Sequence, residues 1–140
     1  MKILIIEDNA FKKKDIEKCI TSHFEGVLVN GASAYSSGLR RAYNTEYDFV
    51  ILDNGLPYYE STPMDIQPDM AWNILEELLE LDVRPKCIIC SAFDPGTKEE
   101  YFDNLVRQFD FCIGYVRYDP SDSSWEEDIV KLIKTANEGV

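Results

Sequence analysis

Four polar side chains come directly after stretches of apolar residues: Glu7 and Asp8 after Ile3 to Ile6, Asp53 after Phe49 to Leu52, and Ser91 after Cys87 to Cys90. If the first and third runs are neighbouring strands, the carboxylates of Glu7, Asp8 and Asp53 converge at one edge of a sheet. Like charges so crowded repel, and either a pKa rises or a counter-ion enters. A hard divalent cation, Mg²⁺ or Mn²⁺, meets that demand through oxygen ligands, taking one or two carboxylates together with water and a phosphate. Asp53 then reads as a carboxylate able to attack a phosphoryl group, with the metal and the Ser91 hydroxyl holding the phosphoryl oxygens. A single acidic residue at a strand end is ordinary, since Asp suits turns and helix N-termini. Four such positions, each just after its run, point to a site.

The elements that must position these residues alternate along the chain. Apolar runs occur at Ile3 to Ile6, Val27 to Val29 (ended by Asn30-Gly31), Phe49 to Leu52, Cys87 to Cys90 and Phe111 to Val116. Helical spacing separates them: Phe11, Ile16, Cys19 and Ile20; Ser33 to Tyr43 with Leu39 and Ala42 inward; Ala71 to Leu81; Thr97 to Phe109 after the Pro95-Gly96 break; and a last helix opening at Asp122 or Ser123. Runs that are apolar throughout suit parallel strands covered on both faces, so the expected fold is a doubly wound α/β sandwich of five strands and five helices. Ligands bind such sheets at the carboxyl ends of the strands.

At 140 residues, 1–140 reads as a single domain. Acidic residues outnumber basic ones 26 to 14, and the net charge of −12 repels phosphate backbones and anionic lipid, so direct nucleic-acid or membrane binding is not expected. No apolar run approaches the ~20 residues of a membrane span, and MKILIIEDN turns acidic too early for a signal peptide. Cys19, Cys87, Cys90 and Cys112 read as reduced thiols of a cytoplasmic protein. Cys87-x-x-Cys90 has a redox spacing but encloses Ile88-Ile89 within an apolar run, which favours core packing. His23, the only histidine, reads as a helix-end surface residue.

The order of these motifs resembles a response-regulator receiver (CheY-like) domain over essentially the whole chain. ILIIEDN is similar to the family's first strand with its acidic pair, FVILDNGLP to its phosphoacceptor strand and D-x-x-L-P turn, and CIICSA to its fourth strand. The resemblance implies a flavodoxin-like parallel sheet of order 2-1-3-4-5. It also implies an aspartyl-phosphate switch rather than an enzyme, with at most weak autophosphatase activity. Asp53 is implied as phosphoacceptor, and Glu7, Asp8, Asp53 and the Gly55 carbonyl as Mg²⁺ ligands. Ser91 is implied as the phosphate-binding residue and Tyr115 as the switch aromatic. The implied partners are a histidine kinase or phosphotransfer protein upstream and a protein target downstream, met as a monomer or weak homodimer. The face of the fourth helix, fifth strand and fifth helix is the implied output surface.

Two departures from the family pattern matter. Its members carry a Lys at the end of strand five, where this chain reads Tyr115-Val116-Arg117-Tyr118-Asp119-Pro120. Tyr118 takes the Lys place if Tyr115 is the switch aromatic; Arg117 substitutes only if the strand end slips by one residue; and Lys12 could lean toward the acidic cluster from the first helix. The second departure is Tyr58 to Pro68, about ten residues added after the phosphoacceptor strand, read as a solvated surface loop whose tyrosines could form a lid or partner contact, with Ala71 where the family often has Gly. A pseudo-receiver, a protein-interaction module independent of phosphorylation, is the alternative reading. A haloacid-dehalogenase-type phosphatase would need a second Asp where Gly55 stands.

Overall fold

The structure is a computed structural model and describes residues 1–93, 96 and 98–138. Its strands and helices run β1 (Lys2–Ile6), α1 (Ala10–His23), β2 (Leu28–Ala32), α2 (Tyr35–Asn44), β3 (Phe49–Leu52), β4 (Leu56–Pro57), β5 (Ile66–Gln67), α3 (Met70–Leu78), β6 (Lys86–Ser91), α4 (Glu99–Gln108), β7 (Cys112–Arg117) and α5 (Ser124–Glu138). The main sheet has the order β2-β1-β3-β6-β7, with every neighbouring pair parallel. Counting only its strands, this is the expected 2-1-3-4-5 winding.

Strand alternation divides the core between the two faces of the sheet. Leu4, Ile6, Val50, Leu52 and Ile89 pack beneath α2, α3 and α4, which supply Ala42, Ile74, Leu75 and Phe102. Ile3, Ile5, Ile51 and Ile88 pack beneath α1 and α5, which supply Ile16, Ile20, Trp125 and Ile129. Both faces of the central strands leave water, which explains why their sequences are apolar throughout. The four cysteines are buried and free, and burial pushes the Cys90 thiol up to about 12, as packing rather than redox chemistry requires.

Several expectations are corrected. β2 continues through Asn30 and Gly31 to Ala32, because at the sheet edge its residues alternate in exposure and Asn30 finds a partner in the Tyr47 hydroxyl at 2.8 Å. The left-handed residue before α3 is Asp69 (φ 58°), while Ala71 is helical and fully buried. The segment Tyr58 to Pro68 is not merely a loop: Leu56 and Pro57 pair antiparallel with Gln67 and Ile66, so a small hairpin carries it. Its Tyr58 ring meets Tyr35 edge-on at 5.6 Å, and the Tyr58 carbonyl accepts from Ser36 N, which fastens the segment to the start of α2. Pro95 and Thr97, the expected break and cap before α4, lie outside the described residues.

Candidate functional site

Parallel pairing of β1 with β3 sets Ile6 beside Leu52, so the next residues along each strand, Glu7, Asp8 and Asp53, emerge together at the carboxyl edge of the sheet. One oxygen from each lies within 4.8 Å of the others. β6 adjoins β3 and adds Ser91, which is buried at the same end. Glu7, Asp8, Asp53, Gly55, Ser91, Arg117 and Tyr118 all line one open cleft, floored by the strand ends and rimmed by Phe11, Ile66 and Pro120.

The cleft holds a cation of the chain's own. Lys12 is the third residue of α1, whose N-terminus is fixed by Asn9: its side chain accepts from Lys12 N at 3.0 Å. That cap turns the Lys12 side chain inward, where only 6% of the residue is exposed. Its Nζ donates to the Cys90 carbonyl at 2.7 Å, pairs with Glu7 Oε1 at 2.6 Å and lies 3.4 Å from Asp53 Oδ2. The Glu7 contact is ionic but falls outside hydrogen-bonding angles, leaving Oε1 a buried oxygen with no hydrogen bond, while Oε2 accepts from Asn9 N at 3.1 Å. Burial pushes the Glu7 carboxyl up to about 7, the Asp53 charge adds to the rise, and Lys12 opposes it. For Lys12 burial disfavours the ammonium, yet Asp53 and Glu7 outweigh it and raise its pKa above the ordinary lysine value. Lys12 is therefore charged, and it is the sole ion-pair partner of these carboxylates among the described residues.

The three candidates for the absent strand lysine thus separate. Arg117 pairs with Ser91 across β6 and β7, but its side chain is exposed and Nε donates to the Phe93 carbonyl at 2.8 Å. Tyr118 turns to the opposite face: it is buried, rests on Trp125 at 5.0 Å and donates its hydroxyl to Asp15 Oδ2 at 2.8 Å. The Lys12 ammonium stands 5.4 Å from the centre of the Tyr118 ring. Tyr115 does not join the cleft. It stacks on Phe102 at 5.4 Å and donates to Asp103 at 2.7 Å, linking β7 to α4.

Sequence reasoning missed the residues that hold this arrangement. Buried Asn54 accepts from the Tyr101 hydroxyl at 3.0 Å and from Ala71 N at 3.3 Å, tying the turn after Asp53 to α3 and α4. Asp15 and the Cys90 carbonyl escaped notice because their roles depend on contacts between distant elements. Asn9 carried a readable signal, an Asn just before a helical pattern.

Comparison with family profiles finds no match. A Sinorhizobium fredii protein designated y4jR is 31% identical over 99 residues, 67% of this chain and 66% of that protein, so the match leaves a third of the relative uncovered. The Detocs response regulatory protein DtcB of Enterobacter cloacae is 22% identical over 147 residues, 95% of this chain and 98% of its own. A response-regulator receiver domain from Clostridium thermocellum superposes with a TM-score of 0.71 at 22% identity, covering 96% of this chain and 92% of that one. The response regulator TrrA of Thermotoga maritima, solved with Mg²⁺-BeF, gives 0.66 at 19% identity over 94% and 97%. The chain has the fold of a response-regulator receiver domain. Within this receiver fold the strand ends that bear Glu7, Asp53, Ser91 and Tyr118 share one edge, and the basic group among them comes from α1. No described helix of the receiver fold is long and apolar enough to cross a membrane.

Proposed function

We propose that the chain is a cytoplasmic phosphoacceptor receiver of a two-component relay, in which Asp53 takes a phosphoryl group from a histidine kinase or phosphotransfer protein and the change is read by a protein target. The observation that carries this reading is the meeting of Glu7, Asp8 and Asp53 around a charged lysine in an open cleft. An Asp53 oxygen attacks phosphorus, the new O–P bond forms as the donor's N–P bond breaks, and the imidazole leaves with the electron pair. Glu7 Oε1, buried and without a hydrogen bond though ion-paired with Lys12, and the neighbouring Asp8 and Asp53 oxygens fit a hard divalent ion, Mg²⁺ or Mn²⁺, which the Gly55 carbonyl would also help to hold. Such an ion, when bound, neutralises charge on the transferring oxygens. Ser91 donates its hydroxyl to one of those oxygens, and Lys12 supplies the cationic donor that Tyr118 does not. Turnover of a substrate is no part of this reading; self-dephosphorylation at Asp53 is at most slow.

One observation favours the second reading, a pseudo-receiver: Lys12 pairs with Glu7 and lies 3.4 Å from Asp53, and so offsets part of the cluster's charge without a metal or phosphorylation. Intact-mass spectrometry after incubation with acetyl phosphate and Mg²⁺ separates the two. The phosphoacceptor reading expects one acid-labile phosphoryl group on wild type and none on Asp53→Ala. An unmodified wild type, also with a cognate kinase, establishes the pseudo-receiver.

A further inference from the structure

The Lys12 ammonium and a divalent ion have a claim on the same carboxylates. Nζ stands 2.6 Å from Glu7 Oε1 and 3.4 Å from Asp53 Oδ2, and these carboxylates with Asp8 are the groups whose oxygens come within 4.8 Å of one another. A +2 ion cannot take Glu7 Oε1 while an ammonium sits at that distance, because two cations sharing one oxygen repel at close range in a site with little water to screen them. The ammonium has a place to retreat. Its bond to the Cys90 carbonyl, 2.7 Å, does not depend on Glu7, and the Tyr118 ring lies 5.4 Å away as a cation-binding face. The Tyr118 ring is itself held by Trp125 and by the Asp15 hydrogen bond, so it is a fixed wall.

We propose that Lys12 is a built-in competitor for the metal: an ion enters only as the Lys12 ammonium leaves Glu7, and the released ammonium, still held by Cys90 O, is thereby turned toward the Asp53 side where the phosphoryl oxygens arrive. Lys12 thus sets a low resting affinity for Mg²⁺ and makes metal entry and readiness for phosphoryl transfer one event. This rests on the phosphoacceptor reading only in placing the ion at these carboxylates, and it is tested without phosphorylation.

The experiment is isothermal titration with Mg²⁺, repeated with Mn²⁺, of wild type, Lys12→Met and Lys12→Gln. The Gln variant retains an amide donor for Glu7 and Cys90 and so guards against loss of folding. Both variants are expected to bind about tenfold more tightly or better, since a single competing charge at contact distance is worth at least that factor. In wild type carrying nitrogen-labelled lysine, saturating Mg²⁺ should shift the Lys12 ammonium resonance. Equal affinity in the three proteins, weaker binding in the variants or an unmoved resonance overturns the competitor role while leaving the metal site standing. Absence of binding in every protein overturns the metal site and the competitor role together, and the mass-spectrometric test of Asp53 stands apart from both.

Discussion

In the phosphoacceptor reading, Lys12 stands in for the strand-end lysine that the resemblance implies and that Tyr118 replaces. The strand end that carries a lysine in the family presents a buried tyrosine, and the ammonium reaches the acidic cluster from α1 instead. A positioned cationic donor is worth about 10²–10³ in rate where such groups have been removed. Lys12→Met is therefore expected to slow phosphorylation by acetyl phosphate by about that factor. Adding Tyr118→Lys to that variant should restore part of the rate, measured as phosphoryl mass gained per minute. Arg117→Lys in the same background should restore nothing, because that side chain faces the Phe93 carbonyl. Equal rescue by both would mean that the register at the end of β7 is mistaken. Tyr118→Phe, which strips Asp15 of its hydroxyl partner, should cost about 1 kcal/mol in urea unfolding.

The elements reach the site with different degrees of freedom. α2 lies so close to β1 that a Cβ on Gly38 would stand 2.7 Å from Ile6 Cδ1 and 2.9 Å from its Cγ2. Ile6 is buried and directly precedes Glu7, so Gly38→Ala must displace the Ile6 side chain or the elements that carry it. It is expected to destabilise by about 1–3 kcal/mol, read by thermal or urea unfolding, and to weaken metal binding with it. The β4–β5 hairpin behaves oppositely. Met64 is 92% exposed and Tyr59 60%, and the segment meets the start of α2 through Tyr58, on Tyr35 and on Ser36 N, and through Glu60 on Ser33. Tyr58→Ala should cost only about 0.5–1.5 kcal/mol and leave phosphorylation of Asp53 unchanged. A large loss of phosphorylation would make this segment part of the active cleft beyond the wall formed by Ile66, Gln67 and Pro68.

Across the whole molecule the charge of −12 is a standing repulsion that cations relieve. Monovalent salt should raise the melting temperature gradually as it screens the surface, whereas Mg²⁺ should add a saturable increment on top of it. Asp8→Ala should remove the saturable part and keep the gradual one; an identical Mg²⁺ response in both proteins would assign the whole effect to screening. Charge also bears on the partner. Glu127 is exposed in the first turn of α5. On the output surface that the resemblance implies, acidic side chains expect a basic target, so Glu127→Lys should weaken capture of a target while shifting the melting temperature little. Glu126 is less suitable, since it is half-buried at the helix start, where a negative charge complements the dipole.

The alternation of strands and helices and the acidic residues at the strand ends were legible in the residues, while the order 2-1-3-4-5 came with the family resemblance. Apolar runs such as Ile3 to Ile6 and Phe49 to Leu52 suit strands covered on both faces, and the residues just after such a strand lie at its carboxyl end. Local rules suffice for that. They failed at β2, where an edge strand tolerates Asn30-Gly31 that a central strand would not, and at the hairpin, whose two-residue strands are too short to show a period. Which basic group enters the site depended on packing between distant elements. Arg117 and Tyr118 are neighbours in sequence, yet at the end of β7 the first reaches the Phe93 carbonyl and the second packs on Trp125. Lys12, one of three consecutive lysines, is chosen by the rotation of α1 that Asn9 and the burial of Ile16, Cys19 and Ile20 impose. A lysine's reach is set by packing between elements, and no spacing along the chain encodes that distance.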